Sequence, residues 1–274
     1  MPILLEEDLQ RPLPKMYRVR QQFDETCLTD IEGTVRRELV KPKIGALVKP
    51  GMRVAVGVGS RGIQNLSRIV ETTVKGLKEL GAKPFIVSAM GSHGGGTEEG
   101  QREVLAGYGV TEERLGVPVV TTVDTVHLGD CANGRPVWFD RAAYEADLIV
   151  PINRVKLHTD FVGPIQSGLC KMLVIGLGNH KGCSAVHEEA PEVFADVIEE
   201  TARLILKKAP IVFGIAILEN AYDKTYAVEA VPAEGLIERE KELVQIARGN
   251  MPYIMLDEAD VIAVSYTHLT LPTI

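Results

Sequence analysis

The chain has little cysteine, no excess of positive charge, no long apolar run and no internal repeat, and each lack removes a class of protein. Its four cysteines, Cys27, Cys131, Cys170 and Cys183, lie far apart with no Cys-x-x-Cys pair. That fits neither a disulfide framework nor a zinc ribbon, so reduced thiols are expected. Thirty Lys and Arg against 37 Asp and Glu give a net charge of −7. No basic excess is available to displace counterions from a nucleic acid, and any anionic ligand must be held by local positive groups. No apolar run reaches the ~18 residues of a membrane span, and the opening residues lack the basic-then-apolar pattern of a secretory signal. A cytoplasmic protein with neither nucleic-acid nor membrane partners is therefore expected. There is no repeat of fixed period and no low-complexity segment.

What is present reads as an α/β protein. At 274 residues with 45% apolar content, the chain can build a proper core in one large domain or two small ones. "RVAVGVGS" from Arg53 is a β-branched run, and the segment after it carries Leu66, Ile69, Val70, Val74 and Leu77 at helical spacing, closed by Gly81. "KPFIVSAM" predicts the next strand. "TEEGQREVLAGYG" predicts the next helix, with Thr97 as its cap and glutamates in its first turn. "ADLIVPINR", "APIVFGIAIL" and "ADVIAV" predict further strands. "APEVFADVIEETARLILKK" and "PAEGLIEREKELVQIARG" predict the helices between them. Alternating strands and helices imply a Rossmann-like, mostly parallel sheet with flanking helices.

The last ten residues, Ser265 to Ile274, follow a strand-like run that breaks off without its helix, and they resemble translated sequencing-adapter read-through. On that reading His268 is no site residue and the natural protein continues beyond Val264.

Reactive side chains collect where these strands end, which in open parallel sheets is where ligands bind. Ser60 and Arg61 follow the first strand. His93, in "MGSHGGGTEEG", follows the second, and Lys156 and His158 follow "DLIVPINR". His93 is a candidate general acid or base, and Arg61 could fork onto a carboxylate or phosphate. His158 has Asp160 near it to fix its tautomer, and two opposed histidines would serve a reaction that removes a proton from either face of a centre. The stretch Asn153–His187 packs three histidines, three lysines and two cysteines around glycine-broken apolar segments.

Within that stretch Lys171 is embedded in apolar sequence, "SGLCKMLVIG". Burial there would depress its pKa and make it a nucleophile toward a carbonyl or thiocarbonyl carbon, unless its head reaches solvent. His180 and His187 stand seven apart, about two helical turns, with Gly182 between them. Imidazole favours nickel, copper or zinc, with one histidine completing a metal or several forming a protein-only site. Cys170 reads as a small buried apolar group, and His127 as an ordinary strand or loop residue. From the residues alone, three functions stay open: a proton-abstracting enzyme, a zinc or iron hydrolase built from His93, His158, His180 and His187, and a non-catalytic nucleotide or sugar-phosphate binding domain.

Taken together, "MGSHGG", "NRVKLH", "SGLCK" and the later histidine resemble the lactate racemase family that uses a nickel-pincer nucleotide, over most of the chain and as that family's N-terminal domain. The resemblance implies that residues 1–264 are the cofactor-binding and catalytic domain of a two-domain isomerase and that the C-terminal domain is missing, which would leave this fragment inactive alone, while the adapter-like residues 265–274 read as a non-native tail. It implies His93 and His158 as alternating acid and base, Lys171 as the covalent cofactor attachment, and Ser60 and Gly168 as cofactor contacts. It further implies His187, sixteen residues after Lys171, as the nickel ligand and Arg61 as the substrate-binding arginine. The implied reaction is racemisation or epimerisation of a small 2-hydroxy acid by hydride transfer to and from the lysine-bound cofactor, with cofactor-synthesis enzymes as partners. Val58 stands where the family has an aspartate before the arginine, and Gln166 where a tyrosine is usual. Lactate and other 2-hydroxy acids are thus equally implied.

Overall fold

Val54, Val56 and Val58 point to one side of the first strand and Ala55 to the other, and all four are fully buried, as a strand with helices on both faces requires. The computed structural model describes residue 10 and residues 15–262. Its strands are β1 (Arg53–Val58), β2 (Lys83–Ser88), β3 (Val119–Val120), β4 (Thr125–Asp130), β5 (Pro136–Asp140), β6 (Leu148–Arg154), β7 (Phe213–Glu219) and β8 (Thr225–Pro232). Six of them form one sheet in the order β3-β2-β1-β6-β7-β8, parallel throughout except for antiparallel β8. The register sets Val56 between Ile86 and Val150. β4 and β5 form a separate antiparallel pair.

The helices are α1 (Ile31–Leu39), α2 (Pro42–Gly45), α3 (Leu66–Glu79), α4 (Glu98–Gly107), α5 (Glu112–Leu115), α6 (Arg141–Tyr144), α7 (Leu169–Lys171), α8 (Asn179–His187), α9 (Phe194–Lys208) and α10 (Leu236–Asn250). The expected apolar stripe of α3 is buried, and Gly81, at φ +84°, ends the helix in the left-handed turn only glycine adopts freely. Thr97 caps α4, its hydroxyl accepting from the Gly100 amide at 3.2 Å. The sheet separates two cores. α1 and α3 pack with Val54, Val56, Val150 and Ile215 on one face, while α7, α9 and α10 pack with Ala55, Ile149 and Ala216 on the other.

The expected mostly parallel α/β architecture is present, with additions and one correction. The short helix α1, the β4–β5 pair and the edge strand β8 were not anticipated. The strand expected over 259–264 is not formed at residues 259–262, where Val261 is 81% exposed with no core to cover it, and residues 263–264 lie outside the described residues with the whole 265–274 tail. Residues 24–252 make up one compact unit. The described residues 15–23 and 253–262 belong to a second, in which the Gln21 amide donates to the Tyr253 carbonyl at 3.1 Å and Phe23 meets Tyr253 edge-on. All four cysteines are free thiols, as expected, and no described helix is long and apolar enough to cross a membrane.

Candidate active site at the switch point of the sheet

The order of the strands reverses between β1 and β6, and the loops leaving β1, β2 and β6 meet there. Such a switch point opens a crevice beyond the strands' carboxyl ends. Three of the sequence candidates, Ser60, His93 and His158, converge on it along with Lys171. The Ser60 hydroxyl contacts His93 Nδ1 directly. Lys171 Nζ lies 2.5 Å from His158 Nε2. Arg61 sits close enough that its charge depresses both histidines and Lys171.

The loop carrying His93 is built on glycine because its backbone demands it. Gly94, Gly95 and Gly96 are three successive left-handed residues, and a Cβ on Gly94 would lie 2.6 Å from the Gly100 carbonyl carbon. Gln101, fully buried on α4, fixes the loop from beneath. It accepts from the Ser88 hydroxyl at 2.5 Å and donates to the Gly91 carbonyl at 3.1 Å. Burial first, then the charges of Arg61 and Lys171, lowers the pKa of His93, which keeps the imidazole neutral at neutral pH and free to act as a base.

Lys171 ends α7 and is followed at once by a π-helical turn, Met172–Gly176, a distortion that recurs at functional sites. That turn runs against the His93 loop. The Gly91 amide donates to the Gly176 carbonyl at 3.0 Å, and a Cβ on Gly176 would lie 2.7 Å from the Ala89 carbonyl oxygen and 2.8 Å from Met172 Sδ. Gly176→Ala must therefore push the lysine segment away from the histidine loop. A loss of roughly 1–3 kcal/mol in chemical denaturation is expected, and an unchanged midpoint would contradict this packing.

The start of α7 rests on Glu240, which sequence reading did not single out. This fully buried carboxyl of α10 accepts from the Cys170 amide at 2.9 Å, and a Cβ on Gly168 would lie 2.6 Å from it. The demand for glycine at 168 thus comes from Glu240, while the Gly168 carbonyl accepts from the Asn153 side chain at 2.7 Å. A signal was available, since Glu240 interrupts the buried stripe Leu236, Ile237, Leu243, Val244 and Ala247. Burial raises the Glu240 pKa to about 7 and pushes the fully buried Cys170 thiol up, which leaves that thiol inert.

His158 is held on three sides. Its backbone amide donates to Gln166 Oε1 at 2.7 Å, the Asp160 amide donates to its Nδ1 at 3.1 Å, and its ring stacks on Phe161 with centroids 4.3 Å apart. Gln166, buried and bonded back to the Gly163 carbonyl, is therefore a clamp on the His158 loop. Burial first, then the charge of Lys171, brings His158 down to about 4. Burial first, then Arg61 and Lys156, brings Lys171 down to about 8. Among the described residues no carboxylate forms an ion pair with Lys171.

His187 closes the far side through an aromatic row, His158–Phe161–Phe194–His187, with successive centroids 4.3, 5.1 and 5.3 Å apart. Its Nδ1 donates to the Cys183 carbonyl at 2.7 Å and lies 3.5 Å from Cys183 Sγ, leaving Nε2 for another partner. This is how protein scaffolds orient a metal-ligating imidazole. His180 is on the same helix but about 10 Å away along its axis, exposed beside Gly96. Among the described residues no three His, Cys, Asp or Glu side chains converge as a metal cage would require. His127 is the plain strand residue expected, stacked on Trp138.

Fold and site together define a class: an open, mostly parallel α/β domain whose sheet reverses beneath a lysine–histidine pair, a second histidine on a glycine loop and an exposed arginine. Comparison with known proteins narrows the class. The model of the lactate racemase N-terminal domain family matches residues 12–195, and the chain belongs to that family. Among solved structures, the lactate racemase apoprotein from Thermoanaerobacterium thermosaccharolyticum matches with a TM-score of 0.62 and 16% sequence identity, over 80% of this chain and 56% of that one. At that identity the likeness concerns the fold, and this chain spans little more than half of that protein's length. No curated protein matches.

Proposed function

We propose that this chain is the cofactor-binding and catalytic domain of a racemase or epimerase of a small 2-hydroxy acid, working with a nickel-pincer nucleotide attached to Lys171. The observation that carries the proposal is the amine of Lys171, depressed to about 8, unpaired with any described carboxylate and held 2.5 Å from an imidazole at the sheet's switch point. The donor set fits such a cofactor. Lys171 offers a nucleophilic nitrogen, His187 an oriented imidazole with Nε2 available, and Ser60 and Gly168 flank the approach. A metal held mainly by its organic ligand also needs only one histidine, which agrees with the lack of a protein-only cage among the described residues. That lack disfavours the zinc or iron hydrolase reading. Thr97 already satisfies the Gly100 amide in the first turn of α4, which weakens a pure phosphate-binding reading.

When bound, the cofactor supplies an acceptor for the substrate's α-hydride. The chain's own residues do the rest. Arg61 holds the substrate carboxylate through its fork, and His93 and His158 take and return the hydroxyl proton on opposite faces. Cofactor-synthesis enzymes are the proposed partners in loading. Val58, where the family has an aspartate, is fully buried in the core, so substrate choice falls to Arg61 and the loops and stays at the level of a 2-hydroxy acid.

Separating the two cofactor contacts tests the proposal. In protein co-expressed with cofactor-synthesis enzymes, His187→Ala is expected to keep the mass added at Lys171 while nickel per adduct falls at least about tenfold. Unchanged nickel content in that variant would remove His187 from the metal and undo the assignment.

A further inference from the structure

We propose that, before any cofactor is attached, this site forms an imine with 2-oxo acids: Lys171 Nζ adds to the carbonyl carbon while Arg61 and Lys156 hold the neighbouring carboxylate. The inference rests on the unmodified side chains alone and stands apart from the racemase reading.

Two hydrogen bonds define the protonation states. The Asp160 amide points its hydrogen at His158 Nδ1, so Nδ1 is the acceptor and the neutral ring carries its proton on Nε2. Nε2–H faces Lys171 Nζ at 2.5 Å. Only an amine with a free lone pair can receive it, because an ammonium would set hydrogen against hydrogen. The geometry thus favours the neutral amine, and the surroundings bring Lys171 down to about 8, so the amine form takes over as pH rises through that value. The charged groups acting on it are Arg61 and Lys156, which disfavour protonation, and Asp160 and Cys183, which favour it, with burial the largest influence and against the ammonium. The amine sits over the face of Phe161, 5.7 Å from its centroid, and among the described residues no carboxylate is bonded to it.

A half-buried amine that loses its proton near pH 8 beside two cations is the arrangement that condenses with a carbonyl carrying an adjacent carboxylate. The amine lone pair forms the C–N bond and the carbonyl π pair moves to oxygen. One amine proton passes to that oxygen, which takes a second proton from solvent and leaves as water, giving a protonated imine. Nothing is oxidised or reduced.

The test treats the full chain, purified without cofactor, with pyruvate and sodium borohydride, whose hydride reduces the imine to a stable secondary amine. Intact mass and peptide mapping are then read across pH. The expected result is one pyruvate-dependent addition, mapped to Lys171, appearing as pH rises toward about 8, absent in Lys171→Arg. Losing Arg61 also raises the pKa of the amine, so Arg61→Ala is read on the plateau above its own titration, where labelling by pyruvate should fall and labelling by acetaldehyde, which has no carboxylate, should not. His158→Ala removes the hydrogen bond that favours the neutral amine and should move the profile to higher pH. Mapping of the unaltered protein decides the matter even if a variant misfolds. Labelling spread over surface lysines, or centred on Lys171 but equal for pyruvate and acetaldehyde, overturns the proposal. Neither of those results bears on nickel binding, which is read separately through His187.

Discussion

Lys171→Ala is expected to abolish covalent loading completely while leaving the fold intact. In protein co-expressed with cofactor-synthesis enzymes, the unaltered chain gains mass and the variant gains none. The reason is local. Lys171 is brought down to about 8 by burial and by its cationic neighbours Arg61 and Lys156, and its amine lies beside an imidazole at the sheet's switch point. Among the described residues its amine meets His158 and the face of Phe161 and no carboxylate is bonded to it, so truncation leaves no stranded charge, and the thermal midpoint should be unchanged or slightly higher. Lys171→Arg should be equally unloaded, because a guanidinium keeps its proton. An adduct of the same mass in either variant would sink the assignment.

The second large effect concerns Glu240, the carboxyl beneath the lysine helix. Its pKa rises from 4.5 in the unfolded chain to about 7 in the fold, because burial outweighs the amides bonded to it. The folded state then binds this proton more tightly than the unfolded state does. Stability from the group is fully present below pH 4.5 and is lost as pH rises through about 7. The loss amounts to roughly 3 kcal/mol, or about 6–12 °C of melting temperature for a protein of this size. Asp140, capping α6 and bonded to Asn179, is raised to about 6 by burial and adds a loss of the same sign. His158, brought down to about 4, works the other way: its stability is present above 6.5 and lost as pH falls through about 4. Comparison with Glu240→Gln cancels both, since that variant keeps the acceptor for the Cys170 amide but cannot ionise. Melting followed from pH 5 to pH 8.5 should show the unaltered protein losing ground to Glu240→Gln as pH rises. Parallel curves would mean that Glu240 does not titrate in this range.

Much of this was legible in the sequence, and the parts that were not share a cause. The strands β1, β2, β6 and β7 announce themselves because residues buried on both faces read as continuous apolar runs, and α3, α9 and α10 because one buried stripe reads as helical spacing. β8 was missed because an edge strand is covered on one side only, and its "TYAVEAVP" alternates with polar residues. The β4–β5 pair was missed because its burial is partial and a register shift falls between His127 and Gly129. At the site, Ser60, Arg61, His93 and His158 were visible as reactive residues at strand ends, and Lys171 as a lysine set in apolar sequence. The groups that hold them were not. Gln101 and Glu240 act from helices whose patterns mark them only as polar residues on a buried face, and nothing along the chain says that one lies under Gly91 and the other under Cys170. Gln166 was noticed only as a departure from a family pattern, and its work as a clamp on His158 emerges from two hydrogen bonds. His180 and His187 looked like a possible pair by spacing, yet the helix separates them along its axis.

The most direct test of the central claim is intact-mass spectrometry with metal analysis on the unaltered chain after co-expression with cofactor-synthesis enzymes. The account predicts one covalent adduct mapped to Lys171, accompanied by nickel in equal amount. An unmodified chain carrying stoichiometric zinc or iron would contradict it.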